Sequence, residues 1–252
     1  MQPRRKSPVN LVYTETESCS IDLRLNILGR LPFFSGLDQP TLQTINSQFR
    51  EVGFEAGEFI FWEGTSSDYL YVLADGKVKL KKAVGSQRDV LLDVLGSGDF
   101  FGNIANEEGG VHFETAQAMT ACCVLILSNH QFRATLRSHP DLMARTASIM
   151  ASRLRQANQK LLSFGAMSVD QRLASTLLAL ESKFGLVKDG MRLIDLPLSR
   201  DDLAEMTGTT PETVSRWISQ MRGAGVLRTG RKWTGIVDLE RLKALAEGGE
   251  IR

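Results

Sequence analysis

The chain has 252 residues and a formal net charge of +1 at pH 7, with 30 Lys and Arg against 29 Asp and Glu. This length allows about two domains with ordinary hydrophobic cores. The near-zero charge excludes a global basic field, so attraction to nucleic acid would have to come from a local patch. No apolar run is long enough for a membrane helix, and the basic N-terminus lacks the apolar region of a secretory signal. We therefore expect a cytoplasmic protein with no membrane partner.

The first half of the chain is predicted to form a small β-structure. Short helices are expected around Asp22–Leu28 and Pro40–Ser47, before a series of short apolar runs broken by glycine. These runs span residues 58–62, 69–73, 77–80 and 90–95. Asp75-Gly76, between two of the runs, predicts a hairpin. Short strands at regular spacing indicate an antiparallel barrel or roll.

A long helix is predicted next, from about Asp141 to about Phe164. Its apolar residues recur at intervals of 4, 3, 4, 3, 4 and 3, which is a heptad seam. The seam comprises Met143, Ala147, Met150, Leu154, Ala157, Leu161 and Phe164. One edge of this helix could pack on its own β-structure, but the regularity of the seam favours a homodimer.

The residues after the long helix begin a separate C-terminal domain. Gly165-Ala166-Met167 is expected to act as a hinge, and Ser168 with Gln171 to cap a further helix. A loop is predicted over Gly185–Gly190, followed by a strand over Met191–Leu196.

The segment from Leu198 to Gly225 is the most informative of the chain, because it predicts two helices joined by a tight turn. Ser199 and Asp202 form a capping box that starts the first helix, and Gly208 ends it. Thr210 and Pro211 supply an N-cap and a first helical residue for the second. Five apolar residues are spaced to face one core: Leu203, Ala204, Val214, Ile218 and Met221.

The second helix of this pair has the pattern of a DNA-reading helix. Polar residues of its first turns project outward, where a helix-turn-helix contacts base edges in the major groove. No acidic residue occurs from Thr213 to Val237, and a short hairpin around Arg228–Gly235 resembles a cationic wing that binds phosphates. Any surface helical hairpin can carry Arg and Glu, but this acid-free flank makes the pattern more specific. The predicted DNA-binding residues are Ser199, Thr209, Thr210, Glu212, Thr213, Ser215, Arg216, Arg222, Arg231 and Lys232.

Together, a glycine-punctuated roll, a long dimerisation helix and a winged helix-turn-helix resemble the CRP/FNR family of bacterial transcription regulators. The resemblance covers about residues 31–242 and is carried by the segments 57–64, 75–80, 98–102 and 212–216. It implies an α+β fold. The implied division is an N-terminal extension (1–30), a β-roll sensory domain (31–139), a dimerisation helix with hinge (140–166) and a winged helix-turn-helix domain (167–252).

The resemblance also implies a mechanism of regulation. A signal at the roll reorients the DNA-binding domains about the dimer helix, and the regulator then recruits or blocks RNA polymerase at a palindromic promoter site. Glu212, Ser215 and Arg216 stand at the positions that the FNR branch uses to read TTGA-type half-sites. Arginine suits guanine O6 and N7, and glutamate can accept from cytosine N4.

The effector pocket implied by the resemblance departs from the cAMP pattern. Asn103 replaces a ribose-contacting Glu, and His112-Phe113 with Glu114 replaces the phosphate-clamping Arg-Ser pair and a small residue. A cyclic phosphate would face a carboxylate and lose its bidentate partner, so we expect no cAMP binding. The implied pocket comprises Phe101, Gly102, Asn103, His112, Phe113, Glu114, Thr115, Ala157 and Asn158, the last two replacing a helix hydroxyl pair.

Iron–sulfur sensing of the FNR type requires an N-terminal cysteine cluster, and only Cys19 lies there. With Cys122 and Cys123 the chain has three cysteines and no C-x-x-C spacing, so neither a cluster nor a disulfide framework is expected. We interpret the adjacent pair as small apolar strand residues on opposite faces and Cys19 as a tail thiol, with a redox-sensing thiol as a minor alternative.

Residues 114–119 and 127–132 resemble the haem-dependent nitric-oxide regulators of the same family, which makes haem a possible cofactor. His112 is the best candidate haem ligand, ahead of His130 and His139. Two further hypotheses stay open. One is a DNA-binding protein whose roll senses nothing, and the other is a cupin-like metal enzyme, which the lack of H-x-H spacing disfavours. The effector, the sign of regulation and the target genes are not fixed by the sequence.

Overall fold

The computed structural model describes residues 20–85, 88–102, 110–188, 190–230 and 233–249. The described residues form eight helices and twelve strands, which confirms the predicted α+β class. The chain divides into two compact units whose boundary in the long helix falls between Ala157 and Asn158, the later unit also including Arg88–Leu91. No helix of the described ranges is both long and apolar enough to cross a membrane.

The first part of the chain is a β-roll preceded by two helices. The elements are α1 (Ile21–Arg30), α2 (Gln39–Asn46), β1 (Arg50–Phe54), β2 (Phe59–Phe61), β3 (Tyr69–Asp75), β4 (Val78–Val84), β5 (Arg88–Leu95), β6 (Phe100–Gly102), β7 (Thr115–Ala118), β8 (Cys122–Ser128) and α3 (Asn129–Ser138). The strands form two four-stranded sheets, in the orders β1-β8-β3-β6 and β2-β7-β4-β5. This arrangement confirms the predicted roll.

The hairpin predicted at Asp75-Gly76 is wrong, because β3 and β4 lie in different sheets. Asp75 pairs with Cys123 of β8. Gly76 turns the chain toward the other sheet with a φ of 101°, and a β-carbon there would lie 2.6 Å from Cys122 Sγ. The Asp-Gly pair therefore makes a corner between sheets, where only glycine fits.

Both faces of β3 are buried, which explains its nearly continuous apolar sequence. Leu70 and Val72 pack in a cluster with α1, α2 and α3, whereas Tyr71 and Leu73 pack between the two sheets. α1 is thus part of the core of the roll.

The adjacent cysteines of β8 also divide between these two clusters, as expected from strand alternation. Cys122 is a free, buried thiol whose pKa burial raises to about 11, so it is protonated and unreactive at neutral pH. Cys123 is disulfide-bonded, so its interpretation as a simple apolar strand residue is wrong.

The long helix α4 runs from Pro140 to Ala166, two residues further than predicted. Gly165 and Ala166 are helical, so of the three predicted hinge residues only Met167 lies outside a helix. Near its start, Leu142 is buried and Met150 packs against the core of the roll.

The C-terminal elements are α5 (Val169–Phe184), β9 (Gly185–Lys188), β10 (Met191–Ile194), α6 (Arg200–Thr207), α7 (Pro211–Gly223), β11 (Leu227–Gly230), β12 (Trp233–Ile236) and α8 (Leu239–Ala246). The strands form one sheet in the order β11-β12-β10-β9. The loop predicted over Gly185–Gly190 is wrong for its first four residues, which form β9 because Lys188 and Gly185 pair with the ends of β10.

Candidate nucleic-acid interface and effector pocket

The helix-turn-helix forms through the local signals that the sequence carries. Ser199 Oγ accepts from Asp202 N–H at 3.0 Å, and the Asp202 carboxylate accepts from Ser199 N–H at 2.9 Å, so the capping box is confirmed. Gly208 ends α6 in the left-handed conformation with a φ of 63°. Thr210 caps α7, with Thr209 half-buried in the turn before it. The five residues predicted to face the core, Leu203, Ala204, Val214, Ile218 and Met221, are all buried.

We call α7 the recognition helix. Its outward face presents hydrogen-bond donors and acceptors together. Glu212, Ser215 and Arg216 are exposed, and Thr213 is half-buried. Arg216 Nη2 donates to Thr213 Oγ1 at 3.4 Å. The pKa of Glu212 is lowered by its own backbone N–H, then by the Thr210 hydroxyl and more weakly by Arg216. The face therefore offers a guanidinium fork beside an ionised acceptor.

A second cation beside Arg222 was missed by the sequence reasoning. Arg200, the first residue of α6, donates from Nη2 to Thr229 Oγ1 of β11 at 3.4 Å. Burial and then the positive charge of Arg222 lower the pKa of Arg200. Arg200 and Arg222 thus both bring positive charge to the helix-turn-helix, which favours an anion there. No motif of the sequence identifies Arg200.

The wing is present as the β11–β12 hairpin, in which Gly230 pairs with Trp233. A β-carbon at Gly230 would collide with the Trp233 indole, so glycine is required beside the tip. The second strand of the hairpin ends at Ile236. Arg231 and Lys232, predicted to bind phosphates, lie outside the described residues.

The seam predicted on α4 is mostly exposed. Leu154 and Leu161 are 63% and 70% exposed. Met143, Ala147, Ala157 and Phe164 are exposed as well, whereas Met150 is half-buried against the roll. A row of exposed large apolar side chains on one helix is typical of an interaction surface.

His112, the best candidate haem ligand of the sequence, is buried in the roll and only 3% exposed. Its imidazole stacks on Phe61 at 3.6 Å between ring centroids and lies 6.0 Å from the Tyr71 ring. Burial lowers its pKa, which Asp68 partly offsets. His112 Nε2 has no hydrogen-bond partner among the described residues. The imidazole is therefore neutral and lies inside an apolar cluster, where its Nε2 lacks a partner among the residues that the structure describes.

The neighbours of His112 in sequence face different surroundings. Phe113 is exposed, with Lys82 Nζ 4.0 Å from its ring centroid, and the same ammonium donates to Phe113 O at 2.8 Å and to Glu63 at 2.6 Å. Thr115 Oγ1 accepts from Glu63 N–H at 3.0 Å. Lys82 and Glu63 thus fix the chain at Phe113 and Thr115 through hydrogen bonds.

Glu114 and Arg153 bring opposite charges to the contact between the roll and α4. Burial raises the pKa of Glu114, and Arg153 and Lys82 oppose that rise. Arg153 Nη2 donates to Phe100 O at 2.6 Å, and its guanidinium stacks 3.8 Å from the Phe100 ring centroid. The α4 residues predicted at the pocket, Ala157 and Asn158, are both exposed. Arg153, which no motif identified, thus brings α4 onto the roll at this point.

The remaining predicted pocket residues frame a close approach of strands. Phe101 is buried, and Gly102 has a φ of 82°, with a β-carbon there 2.6 Å from Tyr71 Cδ2. Glycine is therefore required where β6 meets β3. Asn103 lies outside the described residues.

The described residues include no group of three or more His, Cys, Asp or Glu side chains able to hold a metal ion. For haem, the orphaned His112 Nε2 supplies a possible ligand atom. However, the surrounding rings are already in contact, with Phe61–Tyr71 and Tyr71–Phe101 centroids 5.1 and 5.2 Å apart. Because His112 Nε2 is itself buried and these rings are in contact, the described residues would have to separate to admit a porphyrin, so they do not fit haem as arranged.

Comparison with known protein families finds a match for each of two parts of the chain. The family model "Cyclic nucleotide-binding domain" matches residues 51–139, and "Crp-like helix-turn-helix domain" matches residues 171–245. The first coincides with the roll and the second with the recognition helix and wing.

Relatives match along most of their length. The chain is 28% identical over 216 residues to a "CRP-like cAMP-activated global transcriptional regulator" of Mycobacterium tuberculosis, covering 86% of this chain and 96% of the relative. It is 28% identical over 213 residues to the "Nitrogen fixation regulation protein FixK" of Bradyrhizobium diazoefficiens, covering 84% and 88%. The structure of FixK2 from Bradyrhizobium japonicum is similar with a TM-score of 0.69 at 26% identity, covering 78% of this chain and 96% of that one.

Proposed function

Because the chain belongs to the CRP/FNR family of transcription regulators, we propose that it is a homodimer that reads TTGA-like half-sites and responds to a signal other than cAMP. It is a DNA-binding transcription regulator and not an enzyme, as predicted. The observation that carries the proposal is the exposed face of the recognition helix, with Glu212, Ser215 and Arg216 on its first turns.

Base reading follows from the chemistry of this face. Arg216 forms two parallel hydrogen bonds to guanine O6 and N7, and Glu212 accepts from a cytosine amino group. Ser215 serves a base on either strand. Ionised Glu212 also discourages non-specific seating, because it repels phosphates wherever the helix is out of register.

Phosphate contacts orient the helix on the duplex. Arg200 and Arg222 flank the helix-turn-helix, and a phosphate between them removes their mutual repulsion. Arg231 and Lys232 of the wing add sequence-independent attraction, and Ser199, Thr209, Thr210 and Thr213 supply neutral donors. The chain needs such a local patch because its net charge is only +1.

Dimerisation follows from the exposed seam on α4. Six exposed residues at heptad spacing, headed by Leu154 and Leu161, would be buried by a second copy, whereas Met150 packs on its own roll. A two-fold dimer reads two half-sites about one helical turn apart, which gives a palindromic promoter site. At that site, in the cytoplasm, the dimer would recruit or block RNA polymerase.

A signal at the roll is proposed to control DNA binding. Although one relative is named as cAMP-activated, Glu114 here brings a carboxylate to the place of the phosphate clamp. The predicted effector site near Gly102, Thr115 and α4 is kept as part of this proposal, because a ligand there would touch both the roll and the long helix. A ligand with different affinities for two arrangements of that helix acts as a switch.

A small effector suits the pocket better than haem. The neutral His112 offers a hydrogen-bonding nitrogen inside an aromatic cluster, and Glu114 with Arg153 offers charge at its edge. Haem would require the aromatic rings to separate. An absorbance spectrum of protein purified without oxygen decides this, because haem gives a Soret band that His112→Ala would shift. Calorimetry with millimolar cAMP should show no saturable binding.

The DNA proposal is tested by selecting binding sites from a random duplex library with the purified chain. We expect an inverted repeat of TTGA-like half-sites with centres about one helical turn apart. Recovery of unrelated sequences, or of single half-sites without symmetry, contradicts it. Full affinity for the selected site in protein that responds to no effector would instead favour a constitutive DNA-binding protein.

A further inference from the structure

The end of α4 contacts the turn of the helix-turn-helix through three residues, Phe164, Arg172 and Gly208, which we call the clasp. Each belongs to a different element: Phe164 to the last turn of α4, Arg172 to the first turn of α5, and Gly208 to the turn after α6. All three lie in the same compact unit.

Arg172 joins two carbonyl groups that no helix satisfies. Its Nε donates to Thr207 O at 2.9 Å, and its Nη1 donates to Met167 O at 2.8 Å. Thr207 is the last residue of α6, and Met167 follows directly after α4. Such terminal carbonyls lack a partner in their own helix and carry partial negative charge. A guanidinium can bond to both at once because its donors point in two fixed directions, which a lysine cannot do.

Phe164 makes the clasp tight. A β-carbon at Gly208 would lie 2.8 Å from Phe164 Cε1, so the ring rests directly on the turn. The Arg172 guanidinium lies 5.4 Å from the centre of the same ring, within the range of a cation–π contact. Gly208 is therefore required twice, for its φ of 63° and for the approach of the ring.

The clasp reaches both functional segments of this region. Gly208 is followed after two residues by Pro211, the first residue of the recognition helix. Phe164 was predicted as the last residue of the dimer seam, yet one side of its ring contacts its own chain. The last turn of the dimer helix and the start of the recognition helix are thus held by one set of contacts.

We propose that Arg172 is a positioning residue that fixes where the recognition helix stands relative to the dimer helix, and thereby the distance between the two recognition helices. This inference rests on the proposed dimeric reading of a palindrome. In a rigid dimer, binding of one half-site delivers the second helix to the other half-site at high effective concentration. If the clasp is loosened, each recognition helix stays intact, but the second helix of the dimer occupies many positions relative to the first. Its effective concentration at the second half-site is then lower.

The test compares duplexes carrying one half-site, the full palindrome, and palindromes lengthened or shortened by one base pair. Arg172→Met keeps most of the apolar stem and removes the donors. We expect unchanged affinity for one half-site, roughly tenfold weaker binding to the palindrome, and a reduced penalty for altered spacing. Arg172→Lys, which keeps the charge and one hydrogen bond, should be intermediate. Arg192→Met is the matched control, since Arg192 pairs with Glu181 at the surface, and it should behave as wild type.

Equal losses for half-site and palindrome would overturn the inference, because they indicate damage to the reading surface. Unchanged binding to every duplex would overturn it as well. Wild-type protein that shows no preference for the palindrome contradicts the dimeric function itself and is distinguishable from either result.

Gly208→Asn provides a second route if Arg172→Met does not fold. Asparagine tolerates a positive φ, so this variant disturbs mainly the contact with Phe164. Gly208→Asn, Phe164→Leu and the double variant should show one common spacing defect. Leucine keeps an apolar residue at this seam position, and sedimentation checks that all the variants are dimers. Additive defects would mean that the two residues act separately, and the clasp would be rejected.

Discussion

The recognition helix and the surroundings of His112 place their candidate functional side chains in opposite ways. Glu212, Ser215 and Arg216 stand on one exposed helix that is set by a local N-cap, so short-range spacing locates all three. His112 is buried against Phe61, fifty-one residues away along the chain, and its surroundings come from several strands. The positions of side chains on one helix are set by local residue spacing, whereas the surroundings of His112 are set by the pairing of distant strands.

The seam of α4 is a second exposed surface that was predicted from residue spacing, and changing it is expected to have the largest effect. Leu154→Lys with Leu161→Lys places like charges across a dimer interface. We expect monomers by sedimentation, and an affinity for the palindrome lower by about a hundredfold to ten-thousandfold. Gln159→Lys with Leu162→Lys changes the charge equally on the same helix outside the seam, and should remain dimeric. A dimer that persists in the first variant removes the seam from the interface.

On the pocket side, Gly102→Ala tests the close approach of β6 to β3. The new β-carbon meets Tyr71 and also occupies a positive φ, so we expect a loss of about 2–4 kcal/mol in the free energy of unfolding. Gly98→Ala is the control, because its φ is 90° but no atom lies within 4 Å of the added carbon. Urea unfolding that gives the same loss for both variants would contradict the close approach.

Arg216→Ala tests base reading by the recognition helix. We expect a cost of about 1–3 kcal/mol for the specific site and a relaxed preference at one guanine, with little change on random DNA. Binding titrations against a panel of single-base variants measure both effects. If specific and random duplexes weaken equally, Arg216 contacts the backbone and not a base.

Arg200→Ala is expected to behave differently, since Arg200 was recognised only from its position beside Arg222. It should weaken all sequences alike and reduce the slope of log affinity against log salt by about one. The measurement is a salt series on specific and random duplexes. Arg192→Ala, which removes a surface arginine elsewhere in the domain, should leave the slope unchanged. An altered base preference in Arg200→Ala would assign Arg200 to base reading.

The smallest expected effects are on the pH dependence of the free energy of unfolding, where His112 and Glu114 should act in opposite directions. Burial lowers the pKa of His112 below 6.5, so the unfolded chain binds more protons there and the free energy of unfolding falls as pH decreases below that value. His112→Phe should remove this fall. Burial raises the pKa of Glu114 above 4.5, so its contribution to stability is lost as pH rises through the folded-state pKa, and Glu114→Gln should remove that loss. Unfolding curves over a pH series report each slope, and slopes of the same sign would refute the assigned environments.

Several elements could be predicted because their signals are local. The capping residues Ser168, Ser199 and Thr210 start helices where expected, since an N-cap satisfies backbone groups within three residues of itself. The glycine-broken apolar runs likewise located β2, β3, β4 and β5, and the helical spacing of apolar residues located the buried faces of the helix-turn-helix.

Other features could not be predicted, since distant residues decide them. Asp75-Gly76 has the composition of a hairpin turn. However, Asp75 pairs with Cys123 of β8, and the chain continues after Gly76 into the other sheet. β9 contains Gly185 and exposed apolar residues, and is a strand only because β10 pairs with it.

The sequence by itself therefore determined the helix-turn-helix and the heptad spacing of the long helix, because each depends on spacings shorter than two helical turns or on one repeating period. The class of the protein was indicated by the resemblance of these segments to the CRP/FNR family. The tertiary structure alone decided that His112 is buried, that Arg153 meets Phe100, that Arg200 donates to Thr229, and that Arg172 joins the ends of two helices. Those contacts depend on which elements meet in space, and the free energy that brings them together comes from burial of the whole core.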